Sequence, residues 1–246
     1  MDGKVVVVGC ARDIDSYVYN SVMKMKELGK MFKSYHIVIH ENDSKDNTLL
    51  FLKTIEMNDK NVTVLSDKNV YGSKTECIAY SRNRILELVK RMNYRPDYYV
   101  VMDMDDKSIS DPKSLMSCFN KEFIEDDWIC IGGNNLGYYY DLWALRTKDE
   151  WMPGNMWEYI PYEELKKRTD LFREILPGAN PIEVDSCFNG IAIYKYEYIK
   201  DVRYNGVECE HVSFNKKLLE NNKGKKIYIN PQMLVYNGFH PKWQFK

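Results

Sequence analysis

An apolar run closes on carboxylates in Tyr98-Tyr-Val-Val-Met-Asp103-Met-Asp105-Asp106. In extended chain, residues two apart point to the same side, so Asp103 and Asp105 face one way. Like charges that close repel unless a cation sits between them. Hard carboxylate oxygens suit Mg2+ or Mn2+, ions that commonly bridge one or two carboxylates to a substrate phosphate. A solvated acidic turn has the same composition. The position at the end of a buried strand is what favours the metal.

Glu41-Asn-Asp43-Ser-Lys-Asp46-Asn-Thr48 is a second acidic turn, between a strand and a helix start. Asp43 could accept hydrogen bonds from a base N–H or from ribose hydroxyls, while Asp46 caps the following helix. The two roles use different residues and are compatible. In Tyr80-Ser-Arg82-Asn83-Arg84 a guanidinium could reach a diphosphate, whose oxygens match its fork of donors. A helical arginine left in solvent is the plainer alternative.

The elements that would hold these residues follow from hydrophobic spacing. Residues 4–9 (KVVVVG) form a strand buried on both faces. Asp13 or Asp15 is placed to cap a helix carrying Ile14, Val18, Val22, Met25 and Leu28, with Gly29 at its end. A strand at 35–40, a short helix to about residue 57 and a strand at 61–65 come next. Ser73 opens a long helix with Ile78, Ile85, Leu88, Val89 and Met92 on one stripe, and a strand at 98–102 follows Pro96. Alternating strands and helices predict an α/β fold: a Rossmann-like sandwich with a mostly parallel sheet and helices on both faces. Ligands in such sheets bind beyond the carboxyl ends of the strands, where Cys10–Asp15, Glu41–Asp46, Asp67–Lys74 and Asp103–Lys107 fall.

The second half is less regular. Strands are expected at 128–131, within 184–194 and at 226–229, with a charged, helix-like piece within 161–175 and a helix over 211–221. Between them a Tyr-, Trp-, Pro- and Gly-rich stretch runs from Gly132 to about Pro181. Irregular stretches this long are usually functional. Its aromatics could stack on sugar rings or form a Tyr-rich core, and composition alone supports both.

The chain has 246 residues, 35 basic and 36 acidic, with 44% hydrophobic residues. One domain is expected over 1–246, with a nucleotide-binding half at 1–106 and a sugar- and acceptor-binding half at 107–246. The balanced charge argues against a nucleic-acid partner. Six scattered cysteines without a CxxC pair suggest reduced thiols. No apolar run reaches the roughly 20 residues of a transmembrane segment, and no signal peptide is evident. A cytoplasmic setting is the expectation.

Taken in order, these motifs resemble the GT-A-fold glycosyltransferases, and most closely the fungal capsule-associated mannosyltransferase type. The resemblance rests on Cys10-Ala-Arg12-Asp13, the 41–48 turn, Ser81-Arg82-Asn83, Asp103-Met-Asp105, Tyr139-Tyr-Asp141-Leu-Trp143-Ala-Leu-Arg146, Ser186-Cys-Phe-Asn189-Gly190 and Glu208-Cys-Glu210-His211. It implies a metal site of Asp103, Asp105 and His240, with Mn2+ or Mg2+ as cofactor. Arg12, Asp43, Arg82, Asp103 and Met104 would bind the nucleotide. Asp141, Trp143, Arg146, Asn189, Gly190 and Glu208 would face donor sugar or acceptor. Asp105 and Glu210 would be catalytic. Glu208 or Glu210 could fill the acidic position near the helix start, as a base in an inverting enzyme or to place the acceptor in a retaining one. The implied reaction moves a hexose from a nucleotide-sugar donor to a hydroxyl of a glycan or glycoconjugate acceptor. UDP-glucose or UDP-galactose is the favoured donor and GDP-mannose the alternative. A sugar-1-phosphate nucleotidyltransferase would need a Gly-rich loop after the first strand. A non-catalytic sugar-binding module would not need the clustered carboxylates.

Overall fold

The computed structural model describes residues 1–105, 109–155, 158, 160–165 and 167–235; Asp106 and His240 lie outside them. The first half alternates strand and helix: β1 (Lys4–Ala11), α1 (Val18–Gly29), β2 (Ser34–Asn42), α2 (Thr48–Asn58), β3 (Val62–Asp67), α3 (Lys74–Arg91) and β4 (Tyr98–Met102). The four strands lie parallel in the order β3-β2-β1-β4. The twofold period of β1 feeds both faces of the sheet. Val5 and Val7 pack with Ile37, Ile39 and Val100 on the α1 side. Val6 and Val8 pack with Val38, Val101 and Ile85 on the α3 side. Such double burial explains why these strands read as unbroken apolar runs.

The helix ends show what sequence could and could not place. Ser73 opens α3 with a reciprocal capping box: its hydroxyl accepts from the Glu76 N–H, and Glu76 accepts from the Ser73 N–H. The N-cap of α2 is Asn47, without a side-chain cap bond, and the expected cap Asp46 stands one residue before it and accepts from the Thr48 N–H at 2.9 Å. The expected cap of α1 fails. That helix begins later, after Tyr17, with no side-chain cap. Asp13 and Asp15 instead tie the first loop to the second. Asp13 accepts from the Lys45 N–H at 2.6 Å, and the Asp15 N–H donates to Asp46 at 3.0 Å.

The second half adds β5 (Trp128–Asn135), β6 (Arg146–Thr147), β7 (Ile182–Ser186), β8 (Ile191–Lys195), α4 (Glu210–Asn221) and β9 (Lys226–Val235). β8 returns antiparallel between β4 and β5, and β9 enters between β5 and β7. Among the described residues, β7 and β8 oppose the other strands, so the sheet is mixed but mostly of one direction. The helix-like piece expected within 161–175 is a single helical turn at Tyr162–Leu165 followed by a 3-10 turn at Thr169–Leu171. Phe172 and Ile175 go into the core, and the Arg173 carbonyl accepts from the Tyr139 N–H, which an unbroken helix would prevent. The aromatic stretch divides its work. Tyr139 and Trp151 are core, while Tyr140 and Trp143 stay at a cavity. No helix among the described residues is long and apolar enough to cross a membrane.

Candidate active site

A cavity of about 700 Å3 opens beyond the carboxyl ends of β1 and β4. The alternation that ends β4 sets its floor. Met104 is buried, and its carbonyl accepts from the Ser21 hydroxyl at 2.7 Å, which anchors the chain against α1. Asp103 and Asp105 flank it, and both line the cavity. The Asp103 N–H donates to the Gly190 carbonyl at 2.9 Å, so the turn between β7 and β8 fixes the first carboxylate.

That turn is left-handed at two residues, with φ of 59° at Asn189 and 83° at Gly190. Asn tolerates this region better than most side chains, and Gly adopts it freely. The Asn189 N–H donates to Asp141 Oδ2 at 3.0 Å, and its amide donates to Asn135 Oδ1 at 3.0 Å and to the Gly133 carbonyl at 3.3 Å. Asp141 also accepts from the Ala144 N–H at 3.3 Å and lines the cavity. Asn189 therefore sits behind Asp141 rather than in the cavity wall.

Arg82 and Glu210 cross the cavity floor as an ion pair, Nε to Oε1 at 3.1 Å, with both side chains 6% exposed. The guanidinium lies over the Phe188 ring at 5.1 Å and the Tyr204 ring at 5.7 Å. Phe188 in turn stacks on His211, centroids 3.9 Å apart. Burial holds His211 far below its ordinary pKa, so the ring is neutral, and its Nε2 has no hydrogen-bond partner among the described residues.

The charge balance on this floor bears on a metal. Burial pushes the Asp103 carboxyl up to about 8; Arg82 opposes this, and Asp105, Asp141 and Glu210 add to it. Burial likewise raises Asp141. A divalent cation beside Asp103 and Asp105 would relieve that repulsion, and their oxygens are the hard donors Mn2+ and Mg2+ prefer. The residues present fit such an ion. Among the described residues no group of three or more His, Cys, Asp or Glu side chains could hold a metal by itself, so phosphate oxygens and water would have to complete the shell.

Other expected site residues go elsewhere. Asp43 does not line the cavity. It accepts from the N–H groups of Asn69 and Val70 at 2.7 and 3.0 Å, and these bonds hold its carboxyl below the ordinary range. Arg146 and Glu208 pair with each other at 3.1 Å outside the cavity lining, and Arg146 also donates to the carbonyls of Trp143 and Leu145. Arg12 lines the cavity, with Asp13 a distant 4.0 Å away. Sequence reasoning missed Asn42, Lys74, Phe188 and His211, all in the wall. Asn42 and His211 adjoin residues that were named, and Lys74 is the first residue of a helix whose cap was recognised.

No protein-family model matches the chain, and no curated protein does. Solved structures do. The mannosyltransferase PcManGT from Pyrobaculum calidifontis, in complex with GDP-Man and Mn2+, superposes with a TM-score of 0.58 at 10% identity, covering 97% of this chain and 57% of that one. Glucosyl-3-phosphoglycerate synthase from Mycobacterium tuberculosis, with Mn2+, UDP and phosphoglyceric acid, gives 0.55 at 11% identity over 99% and 73%. TarS 1–349 from S. aureus, with UDP-GlcNAc, gives 0.55 at 15% identity over 96% and 58%. The chain thus spans little more than half the length of two of these three. A large mixed α/β sheet, its acidic turn beyond β4 and these superpositions together give the architecture: the chain has the GT-A glycosyltransferase fold.

Proposed function

We propose that this chain is a divalent-metal-dependent glycosyltransferase that moves a hexose from a nucleoside-diphosphate sugar to a hydroxyl of a glycan or glycoconjugate. The observation that carries this is Asp103 and Asp105 at the end of β4, lining one cavity with Arg12, Asp141 and Glu210. A sugar-binding module would have no use for half-buried carboxylates that repel one another, whereas diphosphate transfer needs the cation they attract.

Asp103 and Asp105 would hold Mn2+ or Mg2+, with His240 as a further ligand, and the ion when bound supplies Lewis-acid neutralisation of a leaving diphosphate. Arg12 supplies positive charge at the nucleotide end, and Met104 sets the spacing of the two carboxylates. Asp141, oriented by two backbone N–H groups, accepts hydrogen bonds from sugar hydroxyls. Gly190 holds Asp103 through its carbonyl. Tyr140 and the half-exposed Trp143 offer flat faces to the incoming acceptor. Glu210 stands where the acceptor hydroxyl must approach; it either takes that proton or orients the oxygen. Asp43, Arg146 and Glu208 act one step back, by fixing the loops that carry Asn42 and Trp143.

UDP-glucose or UDP-galactose is our first choice of donor. GDP-mannose is the second, in keeping with the capsule-type mannosyltransferase resemblance and with the GDP-Man bound by PcManGT. A panel of UDP- and GDP-sugars, assayed for slow hydrolysis with Mn2+ and with a chelator, tests the proposal. Turnover should require the ion, and Asp105→Ala should abolish it while the circular dichroism spectrum stays unchanged. An Asp105→Ala protein that retained its metal-dependent rate would refute the assignment.

A further inference from the structure

Among the described residues, Arg12, Lys74 and Arg82 are the cations that line the cavity, and Arg82 is spent. Arg82 uses Nε on Glu210, lies between the Phe188 and Tyr204 rings and is 6% exposed. Its neighbour Asn83 exchanges two 2.9 Å hydrogen bonds with the backbone of Tyr204, which fixes the ring beneath the guanidinium. Swinging Arg82 out to grip a diphosphate would strand the Glu210 charge uncompensated in a buried site. Arg12 and Lys74 are exposed at the same cavity. Arg12 is 4.0 Å from Asp13 and its charge also acts on Asp43, and Lys74 makes no ion pair with any described residue.

We infer that the cations divide their labour: Arg82 is a positioning residue that orients Glu210 toward the acceptor oxygen, while Lys74 and Arg12 take the donor diphosphate. This rests on the glycosyltransferase reading above and reverses the role that sequence suggested for Arg82. A guanidinium held at Nε between two rings is a fixed strut. A lysine on a free stem can follow a phosphate as it enters and leaves.

The test uses the purified chain with UDP and GDP, each with MnCl2, and reads two quantities. The first is the nucleotide dissociation constant by calorimetry. The second is the rate of sugar-donor hydrolysis, with water standing in for the acceptor. Lys74→Met and Arg12→Met, both at exposed positions, should each weaken nucleotide binding about tenfold, the loss of one charge-assisted hydrogen bond. Arg82→Lys and Glu210→Gln should leave that constant within about twofold and lower the hydrolysis rate about tenfold or more. The Arg82→Lys/Glu210→Gln double variant should be no slower than Glu210→Gln alone, since one residue acts through the other. Arg82→Lys weakening nucleotide binding as much as Lys74→Met would overturn the inference, as would additive rate losses or unaltered binding in both methionine variants. Wild type that binds neither nucleotide would sink the glycosyltransferase reading itself, and this inference with it.

Discussion

At the scale of single residues, the site depends on one asparagine that lies behind the cavity wall. Asn189 sits at φ 59°, fully buried, and joins Asp141, Asn135 and Gly133 to the turn that also holds Asp103. Asn189→Ala keeps the backbone N–H but loses both amide donations, and leaves a methyl group in a left-handed conformation. It should cost about 2–4 kcal/mol in urea denaturation. Asn189→Gly restores the backbone freedom and should recover about 1 kcal/mol of that. A loss below 1 kcal/mol for the alanine variant would mean that the turn is not strained as described. This linkage was invisible in sequence. Asn189 was expected to abut the sugar, and its actual partners lie 48 to 56 residues away.

At the scale of elements, local signals were legible and long-range partners were not. The strand at 98–102 and the cap at Ser73 could be read directly, since each depends only on neighbours in the chain. Arg146–Glu208 and Arg82–Glu210 could not, because 62 and 128 residues separate the partners. The strap ahead of α4 is the extreme case. Thr75 donates to the Gly206 carbonyl at 2.8 Å, Asn83 binds Tyr204, Arg203 pairs with Glu87 and Lys90 with Asp201, so residues 201–206 lie along α3. Gly206 is required there: a Cβ would meet the Glu76 Cα at 2.4 Å. Gly206→Ala should lower the thermal midpoint and slow turnover together, since it pushes the strap and Glu210 away from α3.

A second element-scale prediction concerns pH. Asp67 ends β3 and accepts from Arg84, Tyr80 and His40 at 2.8, 3.0 and 3.0 Å. The Arg84 bond above all, then those of His40 and Tyr80, outweighs burial and holds the carboxyl well below the usual range. A depressed carboxylate pKa contributes stability above the unfolded value and loses it as pH falls through the folded one. Asp67→Asn should therefore cost about 2 kcal/mol at neutral pH, and the gap to wild type should begin to narrow below pH about 4 and close as pH falls through the depressed folded value. A gap that widened in acid would contradict the network.

At the scale of the whole molecule, cavity and fold belong to one sheet, so ligand and stability are coupled. Nucleotide with Mn2+ should raise the thermal midpoint more than either alone, because the ion offsets the repulsion on the cavity floor and the diphosphate completes its shell. Additive shifts would mean separate sites. The fold class was readable because β1 to β4 obey simple alternation. The mixed half was not, since nothing in 184–194 or 226–229 announces which strands become neighbours.

The placement of β9 bears on how the protein is made. This strand is the last described, yet it fills an interior slot between β5 and β7. A nascent chain therefore leaves the ribosome with β5 and β7 lacking their shared partner until synthesis has passed residue 235. Through that interval two rows of backbone donors and acceptors stand open, so crowded or warm cells should lose more of this protein to aggregation during translation than after it.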